Sequence, residues 1–292
     1  MGEGRCFCRN RKHDLIRQEK SLSAFGVLIQ ARLFVFSEVT MVHFVGAGPG
    51  APDLITLRGA ALLSEADQVI YAGSLVNPAL LERCGEHCRI LDSARMTLEQ
   101  VIAAVEEAEK DGLTTVRLHT GDPSLYGAVR EQMAELEKRG IPYDVTPGVS
   151  SFCAAAASLN AEYTLPGLSQ TLILTRMAGR TPVPERERME LLAQHGASMV
   201  LFLSAGMIYE LQAELLKGAY SAGTPAAIVY KASWPEEKTL RCTLGTLAEC
   251  AQAAGITKTA LVLVGDFLGA DFDRSRLYAP DFTTGYRKGT DT

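Results

Sequence analysis

Residues 44–60 read FVGAGPGAPDLITLRGA. An apolar run ends in a glycine- and proline-rich loop, and the loop leads into residues with helical spacing. Leu54, Leu57, Ala61 and Leu62 fall on one face of a helix predicted over 54–66. Strand, loop and helix in that order form the opening unit of an α/β sheet. The loop is not a dinucleotide fingerprint, which needs glycines spaced G-x-G-x-x-G. Here Gly46, Gly48 and Gly50 alternate, and Pro49 stands where the chain would turn into the helix. The loop is therefore shaped for another ligand.

Outward from this stretch the same alternation continues. Strands are predicted at 41–46, 68–73, 114–123 and 141–148, with helices at 97–112 and 128–140. Thr97 is the N-cap of the first of these helices, Gln100 completes a capping box, and Gly112 is the stop. Strands separated by helices of ten to fifteen residues predict a parallel sheet with helices on its faces. A second series follows the Pro/Gly-bearing stretch 160–170. Its strands lie at 171–175, 197–205, 225–233, 238–245 and 259–265, and its helices at 185–194, 207–217 and 246–254. The strands 225–233 and 238–245 are joined by WPEE and read as an antiparallel pair, so this second sheet is mixed. The expected organisation is an extension at 1–40, α/β domains at 41–160 and 161–280, and a tail at 281–292.

Composition narrows the function. Hydrophobic residues are 47% and charged residues 22% of the chain, as in ordinary globular proteins. Residues 1–40 carry seven of the 29 Lys+Arg and four of the 34 Asp+Glu, which leaves a body of net charge −8. An acidic body disfavours a nucleic-acid partner. The seven cysteines are odd in number and scattered, which suits a reducing cytoplasm. Cys84, His87 and Cys88 lie within one helical turn and read as helix-surface residues rather than metal ligands. No metal is expected. The apolar segment LSAFGVLIQARLFVF is cut by Gln30 and Arg32, so it is too short to span a membrane. No small-residue cleavage site follows it, and Met41, just before the first strand, reads as the functional start.

Open parallel sheets bind ligands at the carboxyl ends of their strands. Three loops rich in Gly and Pro fall at such ends: GAGPGAPD (46–53), TGDPSLYG (120–127) and TPGVSS (146–151). These loops, together with LHTGDPSLYGA, PGVSSF, TLPGLSQTLILTRMAGRTPVPE, LFLSA, YKASWPEE and the tail SRLYAPDFTTGYR, resemble the tetrapyrrole (corrin and siroheme) methyltransferase family. The resemblance runs from Met41 to about Arg287. It implies two α/β domains with the active site in the cleft between them, S-adenosylmethionine as methyl donor, a homodimer, and no nucleic-acid or membrane partner. Within the family these stretches are most similar to the branch that methylates C11 of precorrin-4 or cobalt-precorrin-4 in cobalamin biosynthesis. Methylation of another ring position, methylation of RNA or protein by the same fold, and a donor-binding sensor are the alternatives.

The resemblance places the donor against Pro49, Thr120, Gly121, Asp122, Ser150, Ser151, Leu203 and Ala260. Thr120 departs from the family's Gly, and Leu203 stands where relatives often have Met. A carboxylate-fringed acceptor calls for cations at the rim, because a guanidinium pairs a carboxylate bidentately. Arg176, Arg180 and Lys231 are the candidates. Arg186 and Arg188 alternate with Glu185 and Glu187 and read as a solvated face, and Arg58 reads as helix surface. No single catalytic base is assigned. Asp122 and Tyr126 are candidates, although Asp122 can equally bond its own turn. His119 can simply be packed at its strand end.

Overall fold

The computed structural model describes residues 40–290; the extension at 1–40 lies outside them except for its last residue. The first sheet has five parallel strands: β1 (Val42–Gly46), β2 (Gln68–Tyr71), β3 (Arg89–Asp92), β4 (Thr115–His119) and β5 (Tyr143–Thr146), in the order β3-β2-β4-β1-β5. Its helices are α1 (Leu57–Glu65), α2 (Leu98–Lys110) and α3 (Val129–Arg139). Helix α1 starts later than the apolar spacing predicts. Pro52–Leu54 first makes a 3-10 turn, and the Thr56 hydroxyl then caps the helix by accepting from the Gly59 N–H. The predicted capping box of Thr97 and Gln100 is present on α2.

Strand β4 is buried along its whole length, and its odd positions are polar. Arg117 is 6% exposed and meets no carboxylate among the described residues. Its guanidinium donates to Gln132 Oε1, the Ile70 carbonyl and Ser93 Oγ at 2.9–3.0 Å. Three neutral acceptors keep it hydrogen-bonded, and burial still lowers its pKa to about 10.

Strand β3 was not foreseen. It is a four-residue edge strand with a half-exposed face, too short to show a period. The helix-surface reading of Cys84 to Cys88 is corrected as well. A 3-10 helix over Pro78–Arg83 ends with Cys84 extended at ψ 148°, so these residues form a turn. Cys84 and Cys88 pack against the Leu63–Leu80 side of the first core.

The second sheet is mixed, as predicted: β6 (Leu172–Arg176), β7 (Ser198–Phe202), β8 (Pro225–Tyr230), β9 (Lys238–Thr243) and β10 (Ala260–Val264), in the order β6-β7-β10-β8-β9. Strands β6 and β7 are parallel, β10 runs against both its neighbours, and β8 and β9 form the antiparallel pair. The predicted strand 225–233 ends three residues early. Lys231 and Ser233 take positive φ values of 48° and 67°, which a strand cannot continue through.

Helix α4 (Ser151–Leu159), with sequence SFCAAAASL, was also not foreseen. It is small and apolar all round, so it carries no amphipathic signal. It follows the last strand of the first sheet but packs on the second, against Val200, Val229, Leu261 and Leu263. The predicted boundary at 160–170 falls just after this helix. Helices α5 (Met189–Ala193), α6 (Ile208–Leu215) and α7 (Leu247–Ala253) cover the opposite face of that sheet. Among the described residues no helix is long and apolar enough to cross a membrane.

Candidate active-site cleft

The alternating glycines of the opening loop have separate physical causes. A Cβ on Gly46 would lie 2.5 Å from the Gly148 Cα and 2.7 Å from the Gly121 carbonyl oxygen. The ends of β1, β4 and β5 therefore touch backbone to backbone, where only glycine fits. Gly48 has φ +79° and exchanges two backbone hydrogen bonds with Gly121, at 3.2 and 2.8 Å. The three loops read from the sequence are thus one packed unit at the carboxyl edge of the first sheet.

That unit forms one side of a cleft of about 400 Å³. Ligand sites commonly hold about 300–1,000 Å³. The first sheet supplies Pro49, Thr120, Gly121, Asp122 and Tyr126, and the start of α4 supplies Ser150 and Ser151. The second half supplies Leu203 after β7, Lys231 after β8, and Ala260 on β10. All eight donor candidates thus line a single cavity, drawn from positions up to 211 residues apart, along with Tyr126 and Lys231.

Strain is concentrated here. Seven non-glycine residues among those described have positive φ, and four of them, Tyr126, Leu203, Lys231 and Thr259, line this cleft. Such conformations cost about 1–3 kcal/mol each and persist where the surroundings enforce them. Leu203 is 67% exposed, an apolar side chain kept in the cavity instead of in the core. The hydroxyl of the neighbouring Ser204 fixes this corner. It donates to the Phe202 carbonyl and accepts from the Met177 N–H.

Asp122 braces the loops. Its Oδ1 accepts from the Ser124 hydroxyl and N–H, and its Oδ2 accepts from the Gly148 N–H at 2.9 Å. Burial alone would raise its pKa, but these three donors hold it below the usual carboxylate range. A carboxylate in that state is a poor proton acceptor. Burial raises the pKa of the Tyr126 phenol, with Arg176 lowering it and Glu187 raising it by smaller amounts. Its ring lies 5.2 Å from that of Phe202. His119 does not reach the cavity. It is 3% exposed and stacked on Phe44, its Nε2 has no partner, and burial with the nearby Arg117 pushes its pKa down to about 3.

The arginines are placed differently from the donor residues. Neither Arg176 nor Arg180 lines the cavity. Arg176 lies beside Tyr126 but donates to the carbonyls of Met177, Thr181 and Pro182, clasping its own loop. Arg180 is exposed in that loop. Arg186 and Arg188 are exposed and sit beside Glu187, Glu185 and Glu190. Arg58 is exposed on α1.

Sequence reasoning missed several cavity residues. In the sequence Trp234 reads as part of a hairpin turn and of the resemblance stretch YKASWPEE, not as a cavity residue, and Lys258 carries no signal. The Pro-Glu-Glu that follows Trp234 makes the segment look solvent-facing, although the indole is half-buried.

Comparison with known proteins agrees with this architecture. Residues 41–248 match the family Tetrapyrrole (Corrin/Porphyrin) Methylases. The chain is 50% identical over 248 residues to a cobalt-precorrin-4 C(11)-methyltransferase of Methanocaldococcus jannaschii, covering 85% of this chain and 96% of that one. A solved cobalt precorrin-4 methyltransferase, a cobalamin biosynthetic enzyme, superposes with TM-score 0.77 at 43% identity, covering 79% of this chain and 96% of that one. A uroporphyrin-III C-methyltransferase from Thermus thermophilus, solved with S-adenyl homocysteine, reaches TM-score 0.65 at 26% identity, covering 78% and 93%. The chain belongs to the tetrapyrrole (corrin/porphyrin) methylase family.

Proposed function

We propose that this protein transfers a methyl group from S-adenosylmethionine to C11 of precorrin-4 or cobalt-precorrin-4. The observation that carries the reading is the single cleft in which loops from both sheets place Pro49, Thr120, Gly121, Asp122, Ser150, Ser151, Leu203 and Ala260 around one volume. The cavity suits the donor's three parts. Leu203 and Ala260 give an apolar wall for a flat base. In the first turn of α4 the Cys153 N–H donates to the Ser150 carbonyl, while the Ser151 and Phe152 N–H groups have no partner among the described residues and can meet a carboxylate. The glycine-packed loops bring backbone polar groups close, and their one cavity-lining charge, the Asp122 carboxylate, is opposite in sign to a sulfonium.

The bound donor supplies an electrophilic methyl on sulfur. An electron-rich pyrrole-derived carbon can take that methyl directly, so the protein's main work is alignment. Rigid loops are the right device, because correct placement of two reactants contributes several kcal/mol, up to about 7–11, to lowering a barrier. Asp122 serves by locking the 120–127 loop to Gly148 and stays ionised. Tyr126 is the candidate to hold or relay a proton at its hydroxyl, since it lines the cavity and His119 does not. A macrocycle is too large for 400 Å³ and must lie across the mouth, where Lys231 and Lys258 are the lining cations; Arg180, exposed in the loop after β6, is a further candidate. The reading includes a cytoplasmic homodimer. The family resemblance supports the dimer, and the free state of the five described cysteines fits the compartment.

Incubation with methyl-labelled donor and a panel of corrinoid precursors tests the proposal. A new labelled methyl at C11, mapped by NMR, is the expected result. Labelling at another ring carbon, or none with any precursor, rejects it.

A further inference from the structure

We propose that the Ser233–Trp234 turn is a clasp by which the second half of the chain sets the shape of the 46–53 loop, making Trp234 a positioning residue for the donor. The inference rests on the reading that the cleft holds the donor.

The loop GAGPGAPD has almost no side chains with which to hold itself. Three consecutive residues in it have backbone groups satisfied from outside. The Pro49 carbonyl accepts from Trp234 Nε1 at 3.0 Å, the Gly50 carbonyl from Asn77 Nδ2 at 2.8 Å, and the Ala51 N–H donates to Ser233 Oγ at 3.0 Å. Two of the three partners lie more than 180 residues away. The indole also fills the place of a side chain at residue 50. A Cβ on Gly50 would lie 2.0 Å from the Trp234 ring. This is the physical reason for the third glycine of the opening motif.

The turn is itself pinned. Glu237 accepts from the Ser233 N–H at 2.5 Å and from the Ser158 hydroxyl at 2.8 Å, which ties it to α4. The Lys231 ammonium lies 5.1 Å from the indole centre. A solvent-facing hairpin turn needs none of this. Pro49 and Trp234 both line the cavity, so the hydrogen bond between them forms part of its wall.

Because Trp234 is the only tryptophan in the chain, its emission reports on the clasp without mutation. The test is titration with S-adenosylhomocysteine, followed by calorimetry in every protein and by Trp emission where Trp234 is retained. It is applied to the wild type, Trp234→Phe, which keeps a ring but loses the N–H, and Ser233→Ala. Wild-type emission is expected to change saturably with ligand. Each variant is expected to bind about five- to tenfold more weakly, the scale of one net hydrogen bond. In turnover the loss is expected in donor KM more than in kcat. A purely structural role would lower the melting temperature and leave affinity unchanged, and that outcome in either folded variant overturns the clasp. A wild type that binds no S-adenosylhomocysteine overturns instead the donor reading beneath it.

Discussion

Gly148→Ala probes the contact on which the cleft depends. Gly148 does not have a positive φ, so alanine is conformationally acceptable there. Its Cβ, however, would lie 2.2 Å from the Gly121 carbonyl oxygen and 2.8 Å from the Gly46 Cα. Both obstacles are backbone, so no side chain can swing aside, and the loops must part by roughly an ångström to reach ordinary contact. Overpacking of this kind costs about 1–3 kcal/mol. At about 2–4 °C per kcal/mol for a protein of this size, the melting temperature is expected to fall by about 2–12 °C. The same displacement strains the Asp122 bond to the Gly148 N–H and opens the cavity side, so S-adenosylhomocysteine affinity is expected to fall at least tenfold. The control is Gly140→Ala. Gly140 ends α3 at φ +69°, and its Cβ would meet nothing within 4 Å. That change carries about 1 kcal/mol of backbone strain and is expected to leave affinity unchanged. Differential scanning fluorimetry and calorimetric titration read both quantities. If Gly148→Ala melts and binds as the wild type does, the three loops are not in contact and the account of the glycine pattern fails.

Leu203→Gly is expected to move stability and binding in opposite directions. It releases a left-handed φ of 52° and raises the melting temperature by a few degrees, while donor affinity falls several-fold with loss of the apolar wall. Equal losses in both would mean the side chain is ordinary packing. Buried His119, with its pKa near 3, sets a pH dependence. Between about pH 3 and 6.5 the unfolded chain binds a proton that the folded chain does not, so stability falls as pH drops through that window. His119→Phe is expected to flatten the slope there, measured by urea midpoints, and an unaltered slope rejects the assignment. Asp122, with its lowered pKa, adds a further loss only below the usual carboxylate range. Arg180→Ala is expected to raise acceptor KM with donor affinity and melting temperature unchanged, whereas Arg176→Ala also lowers the melting temperature by releasing the 177–182 loop. Unchanged acceptor KM in Arg180→Ala would leave Lys231 and Lys258 as the acceptor's cations.

How much of this was legible depended on whether the cause was local. Four of the five strands of the first sheet were, because each is a short β-rich run closed by a glycine-bearing loop or followed by a helical stretch, and α2 carries its capping box in adjacent residues. The mixed second sheet was legible from one hairpin, WPEE between two β-rich runs. Edge strand β3 and helix α4 were not, since four half-exposed residues and a nine-residue run of small apolar ones carry no period. The loops at strand ends were visible as glycine and proline, but what each glycine is for was not. Gly46 answers to Gly148, Gly48 to Gly121, and Gly50 to an indole 184 positions away.

The same distinction explains why the sequence does not show what Arg176 holds or where Trp234 reaches. A charge in a glycine-rich loop looks free to meet a ligand, yet Arg176 is occupied by three carbonyls of its own loop. A tryptophan followed by Pro-Glu-Glu looks like an exposed turn, yet its N–H closes on Pro49 across the cleft. In each case the deciding partner is a backbone carbonyl, which has no sequence signature. A cleft between two sheets is made mostly of such partners, because strand ends present unpaired carbonyls and N–H groups. Its chemistry can be guessed from loop composition, but the identity of the side chains that shape it follows only once the two halves are packed together.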